Sequence, residues 1–201
     1  MKKLVVITHP GFLPDESYLL KAVLDAGADY LHLRKPQATR NETEQLLQQI
    51  PAEYHSRIVL HDWHDLVEQY AVGGIHLNSR NKHLPLLSDA RMSRSCHSLE
   101  EVTRHKSASS YLFLSPICDS ISKAGYHAAF THDMLLQAAR QGVIDDKVIA
   151  LGGIAPDNIE QVIQYGFGGV AVMGCLWQTP QIETIKQKVK QIKEILTCYN
   201  L

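Results

Sequence analysis

Short apolar runs recur along the chain, and most are followed by a segment with helical spacing. The runs are Leu4–Ile7, Tyr30–Leu33, Ile58–Leu60, Gly74–Leu77, Met92–Ser95, Tyr111–Leu114, Val148–Leu151 and Gly169–Val172. Several are rich in Val, Ile, Leu and Tyr, and they read as strands buried on both faces, the signature of a parallel sheet. Between them, apolar positions return at helical intervals over Glu16–Ala26, Glu42–Gln49, Pro156–Tyr165 and Gln181–Leu196. In the last of these, Ile182, Ile185, Val189, Ile192 and Leu196 mark one face while lysines fill the other. Ser98-Leu99-Glu100-Glu101 and Pro156-Asp157 read as helix starts, because acidic side chains in a first turn complement the helix dipole. The linker Asn81–Ala90 carries a Leu84/Leu86/Leu87 cluster and predicts a short turn in place of a full fourth helix.

Eight strand–helix units without a break in composition predict one domain over residues 1–201. Their regular alternation predicts an α/β fold, a single (β/α)8 barrel, with a doubly wound open sheet as the alternative. Hydrophobic residues at 45% and charged residues at 20% suit a globular enzyme. Lys+Arg at 20 against Asp+Glu at 21 leave no basic field, so nucleic acid is not an expected partner. No apolar run approaches the roughly 18 residues that span a bilayer, and Leu4–Ile7 is too brief for a signal-peptide core. No membrane partner and a cytoplasmic location are therefore expected. Cys96, Cys118, Cys175 and Cys198 are scattered without a C-x-x-C pair, which predicts reduced cysteines and no cysteine-built zinc site.

In a barrel of this kind the chemistry sits at the C-terminal ends of the strands. Those ends read His9, His32 with Arg34, His61-Asp62, His76 with Asn78, Ser95 with His97, Ser115, Gly152-Gly153 and Met173-Gly174. Arg34, two residues after His32 and so on the same side of its strand, can grip a phosphate bidentately or pair with Asp62. His97, two residues after Ser95, can shuttle protons near neutral pH, or can serve to cap the next helix. Gly152, Gly153 and Gly174 suit backbone N–H groups approaching an anion at helix starts, or else tight turns. The run Asp119–Gly125, with Ser120, Ser122 and Lys123, reads as a flap able to close over an anion, or as a solvated loop. Four of the eleven histidines, His9, His32, His61 and His76, stand near strand ends but share no compact H-x-H motif, so a metal-dependent hydrolase is weakly supported.

Taken in order, these landmarks resemble the thiamine-phosphate synthase superfamily, including its thiazole tautomerase (TenI) branch. The Q-L-R-E-K pattern of the synthases resembles His32-Leu33-Arg34-Lys35-Pro36, and N-D followed by G-V-H is similar to His61-Asp62 and Gly74-Ile75-His76. S-x-H before an acidic helix matches Ser95-Cys96-His97-Ser98-Leu99-Glu100-Glu101. Ser115-Pro116-Ile117, Ser120-Ile121-Ser122-Lys123, Leu151-Gly152-Gly153-Ile154 and Gly169-Val170-Ala171-Val172 complete the series. The resemblance implies a phosphorylated small-molecule substrate, with homo-oligomerisation left open. It implies Gly152, Gly153 and Gly174 on the phosphate of a thiazole phosphate. Arg34, Ser95, Ser120, Ser122 and Lys123 then face a pyrimidine pyrophosphate, with Asp62 on Mg²⁺.

The departures lie mainly in the pyrophosphate half. The motif glutamine is His32, its final lysine is Pro36, the asparagine before Asp62 is His61, and the second magnesium aspartate is Asn81, a weaker ligand for a hard cation. This balance favours the tautomerase branch, which needs no cofactor, with His97 as acid/base and His32 as the next candidate. The alternatives are a Mg²⁺-dependent synthase, in which Lys35 adds to the cations of the mouth, and a non-catalytic sensor of thiazole or thiamine phosphate.

Overall fold

The computed structural model describes residues 1–79, 81, 90–119 and 128–199. Strands β1 (Lys3–Ile7), β2 (Tyr30–Leu33), β3 (Ile58–Leu60), β4 (Gly74–Leu77), β5 (Arg91–Cys96), β6 (Tyr111–Leu114), β7 (Val148–Leu151) and β8 (Gly169–Val172) pair in parallel, each with the next. β8 returns to β1 with Lys3 level with Gly169 and Val6 with Val172, which closes the barrel. The open-sheet alternative is thereby ruled out. Around the barrel run α1 (Glu16–Asp25), α2 (Arg40–Gln49), α3 (Leu66–Tyr70), α4 (Leu99–His105), α5 (His132–Arg140), α6 (Ile159–Ile163), α7 (Gly174–Trp177) and α8 (Ile182–Cys198).

Strand periodicity of two splits the apolar side chains into two sets. Leu4, Val6, Leu31, Leu33, Leu60, Leu112, Leu114, Val170 and Val172 point outward and merge with the apolar helix faces into one buried cluster. Val5, Ile7, Tyr111, Phe113, Ile149 and Ala171 form a second, smaller cluster inside the barrel. That inner cluster draws on β1, β6, β7 and β8. The same positions on β2, β3 and β4 end in buried imidazoles, His32, His61 and His76. At the N-terminal end the stacked rings of Tyr30 and Tyr111, with centroids 5.5 Å apart, and the Arg91 guanidinium 4.6 Å over Tyr30 plug the interior.

Several boundaries move for identifiable reasons. Helix α2 begins two residues early because Thr39 and Glu42 form a reciprocal capping box. Helix α6 begins at Ile159, later than Pro156. The Asn158 side chain accepts from the Ala155 N–H (3.0 Å) and donates to the Gly153 carbonyl (2.8 Å), holding residues 155–158 as a turn. The linker predicted to make a short turn in place of a full fourth helix lies, over residues 82–89, outside the described residues. All four cysteines are free. Among the described residues no helix is long and apolar enough to cross a membrane.

Candidate active site

The C-terminal rim of the barrel is ordered by side chains tying one strand end to the next. The buried Thr8 hydroxyl, just after β1, donates to the Arg34 carbonyl (3.1 Å) and accepts from the Arg34 N–H (3.0 Å), which fixes the chain as it leaves β2. Arg34 itself is half-buried, and its charge reaches the imidazole of His76 two strands away. The His61 carbonyl after β3 accepts from Asn81 Nδ2 (2.9 Å) and Asn78 Nδ2 (3.3 Å), which brings the β4 loop against it. Ser95 Oγ at the end of β5 lies 2.8 Å from His76 Nε2. Thr8 and Asn81 thus act as clamps, a role that their sequence context did not advertise.

His97 stands exposed one residue past β5. Its backbone N–H donates to Glu101 (2.6 Å), and Ser98 caps α4 by accepting from the Glu101 N–H (3.2 Å), so the start of the helix orients it. Its Nδ1 lies 3.1 Å from the Ser115 carbonyl and 3.3 Å from the Ser115 hydroxyl. A carbonyl only accepts, so Nδ1 is the donor to it, and Nε2 is the ring nitrogen left for proton exchange. The cap of α4 is therefore Ser98 and not His97, whose imidazole is turned to Ser115 instead.

His32 is deeper than an acid/base at the open mouth would be. It is fully buried on the floor beneath the rim, with Nδ1 2.9 Å from His61 Nε2 and Nε2 2.5 Å from the Tyr111 hydroxyl. Burial, with the fields of His76 and Arg91, pushes its pKa well below the usual range for histidine. Burial likewise lowers His76 to about 3, helped by His64, Arg94 and Arg34. Both rings are neutral at pH 7. The ligand nitrogens of His32, His61 and His76 all lie within 4.8 Å of one another. His9 is elsewhere, its Nδ1 accepting from the Gly11 N–H at 3.2 Å in the loop after β1. A search for H-x-H could not reveal this cluster, because each of three adjacent strands supplies one imidazole.

Asp62 is the residue to which the resemblance assigns a magnesium ion. Its Oδ1 accepts from Asn81 Nδ2 at 2.6 Å, so the asparagine presents a donor to the carboxylate instead of a second anionic ligand. The residues fit a Mg²⁺ held by one carboxylate and completed by phosphate oxygens and water. Lys35 departs from expectation. Its ammonium is buried on Glu16 (2.6 and 2.7 Å) and also donates to the carbonyls of His9 (2.9 Å) and Gly11 (2.7 Å), so it staples the first loop and is not a cation of the mouth.

Gly152 and Gly153 adopt left-handed φ values of 99° and 65°. A Cβ on Gly153 would lie 2.2 Å from the Asp119 carbonyl oxygen, and one on Gly152 would lie 2.8 Å from Pro116 Cα. Backbone pairing continues here, with Ile117 N–H donating to Leu151 (3.0 Å) and Cys118 N–H to Gly152 (3.0 Å). Close passage of the β6 loop therefore requires both glycines, whatever else they bind. Gly174 opens α7 next to them, after β8. Ser120, Ser122 and Lys123 of the expected flap lie outside the described residues.

The sequence model of a family described as thiamine monophosphate synthase matches residues 4–176. A thiamine-phosphate synthase of Halalkalibacterium halodurans is 31% identical over 180 residues, 82% of each chain. That of Alcanivorax borkumensis is 28% identical over 94% of this chain and 91% of its own. The crystal structure of a thiamine phosphate pyrophosphorylase from Bacteroides thetaiotaomicron superposes with a TM-score of 0.89 at 37% identity, covering 99% of this chain and 100% of that one. With a family model matched over most of its length and a closed barrel of eight parallel strands, the chain belongs to the thiamine monophosphate synthase family of enzymes.

Proposed function

We propose that this protein is a thiamine-phosphate synthase, which joins a pyrimidine pyrophosphate to a thiazole phosphate and releases pyrophosphate. The observation that carries the reading is the full-length likeness, at 37% identity, to a thiamine phosphate pyrophosphorylase. The rim supports it, since Arg34 and Asp62 sit at the ends of neighbouring strands. The relatives thus shift the balance away from the tautomerase that the departures in the motifs favour.

In the reaction the bond between the pyrimidine methylene and pyrophosphate breaks, and the thiazole nitrogen donates its electron pair to that carbon. Negative charge gathers on the leaving group, so fixed positive charge aimed at it stabilises the transition state. Arg34 supplies that charge from a backbone pinned by Thr8, and Lys123 adds to it. A bound Mg²⁺ would neutralise the departing pyrophosphate, with Asp62 as its protein ligand. Ser95 holds a hydroxyl at the mouth, oriented by the neutral His76 at 2.8 Å, and faces the pyrimidine. The resemblance assigns Ser120 and Ser122, which lie outside the described residues, to the same pyrophosphate. Gly152, Gly153 and Gly174 receive the thiazole phosphate with backbone N–H groups.

His97 favours a second reading. Its Nε2 suits a base that removes a proton from a thiazole and returns it elsewhere on the ring. Solvent deuterium separates the two. With the thiazole phosphate alone in D₂O, a tautomerase carries deuterium to a ring carbon faster than buffer does. A synthase leaves that rate unchanged and forms product when the pyrimidine pyrophosphate is added.

A further inference from the structure

We propose that His32, His61 and His76 form a transition-metal site on the floor of the mouth, with one imidazole from each of β2, β3 and β4. The site is independent of whether the mouth couples or isomerises its substrate. Inward positions of such barrels are ordinarily filled by branched aliphatic side chains. Here three adjacent strands replace them with imidazoles that are at most 4% exposed. Their ligand nitrogens lie within 4.8 Å of one another, and His32 Nδ1 is already 2.9 Å from His61 Nε2. A tetrahedral ion with bonds of about 2.0–2.1 Å needs ligand nitrogens roughly 3.3 Å apart. Rotation of the side chains has to close the difference.

The surroundings of the cluster fit metal ligation. One nitrogen each of His32 and His76 meets a buried oxygen partner, as ligating histidines ordinarily do. His32 Nε2 lies 2.5 Å from the Tyr111 hydroxyl, and Ser93, whose own hydroxyl donates to the Ile75 carbonyl at 3.2 Å, receives His76 Nδ1–H at 2.8 Å. His32 Nδ1 and His61 Nε2, 2.9 Å apart, are joined by one hydrogen bond, and His76 Nε2 lies 2.8 Å from Ser95 Oγ on the side of the mouth; an ion would take the place of those two hydrogen bonds. An all-nitrogen donor set selects a borderline divalent ion such as Zn²⁺ over Mg²⁺.

The test uses the whole protein, freed of metal by a chelator and titrated with Co²⁺ as a coloured substitute for Zn²⁺. The expected result is saturation at one equivalent with the visible absorption of four-coordinate cobalt, bleached by one equivalent of Zn²⁺. His32→Gln and His61→Asn each weaken binding at least 100-fold, and His9→Gln leaves it unchanged. Tyr111→Phe removes a hydroxyl without touching a ligand, and it lowers affinity roughly 10- to 100-fold. That variant decides the matter if a histidine variant fails to fold by circular dichroism. Absence of saturable binding at micromolar Co²⁺ overturns the proposal, as does undiminished affinity in folded His61→Asn or Tyr111→Phe. The cluster is then a hydrogen-bonded polar core and nothing more.

Discussion

The Nδ1 of His97 rests 3.1 Å from the carbonyl oxygen of Ser115, across the gap between the ends of β5 and β6. This contact makes Nδ1 the donor and leaves Nε2 as the ring nitrogen for proton exchange. If the enzyme is a synthase, no proton transfer by His97 limits the coupling, and His97→Asn keeps the coupling rate within about tenfold. Steady-state kinetics of the variant check this. A fall of roughly 10²–10⁴, the range for a lost general acid–base, together with loss of the acid limb of the pH–rate profile, would instead make His97 the proton shuttle.

The buried pair of Lys35 and Glu16 joins β2 to the start of α1. Removing one partner leaves an uncompensated buried charge, so Lys35→Met should lower unfolding free energy by about 3–5 kcal/mol. Replacing both, as Lys35→Met with Glu16→Leu, should recover most of that loss in urea denaturation. A single variant as stable as the parent would show that the pair is looser than its 2.6 Å contact suggests.

Stability should fall as the solution is acidified from pH 7.5 to 5. The unfolded His76 takes up a proton near 6.5, the folded one near 3. Between those values the unfolded state binds more protons, so stability is complete above 6.5 and declines below it. His76 alone accounts for about 2 kcal/mol at pH 5, at roughly 1.4 kcal/mol per pH unit, and His32 acts in the same direction. Urea midpoints measured across this range should decline, and they should decline less in a His76→Gln variant. A flat profile in the parent protein would show that these rings are not held neutral by burial.

Gly153→Ala should be felt in both the loop and the ligand. Its Cβ would meet the Asp119 carbonyl oxygen at 2.2 Å, in a backbone conformation that side chains seldom adopt. A loss of about 1–3 kcal/mol of stability is expected from the strain. Because the β6 loop must move, affinity for the thiazole phosphate should fall at least tenfold in calorimetry. An unchanged affinity would place the phosphate elsewhere on the rim.

The barrel was legible because buried parallel strands print continuous apolar runs, and each of the eight runs fell on a strand with ends shifted by a residue at most. The histidine cluster was not. His32, His61 and His76 are 29 and 15 residues apart in sequence, and closure of β2, β3 and β4 brings them together. Lys35 was misread for the opposite reason. Its motif neighbours pointed to a phosphate, while the partner that decides its role, Glu16, belongs to a helix with no motif. Gly152 and Gly153 were legible as special positions, but the sequence did not disclose the β6 backbone that packs against them.

The central claim, that this enzyme couples two phosphorylated substrates at the rim formed by Arg34 and Asp62, is tested most directly by product stoichiometry. The purified protein is mixed with pyrimidine pyrophosphate, thiazole phosphate and Mg²⁺, and thiamine phosphate and free pyrophosphate are quantified together. The account predicts the two in equal amounts, with turnover reduced at least 100-fold in Arg34→Met and in Asp62→Asn. A folded protein that forms neither product while it interconverts thiazole phosphate isomers would contradict it.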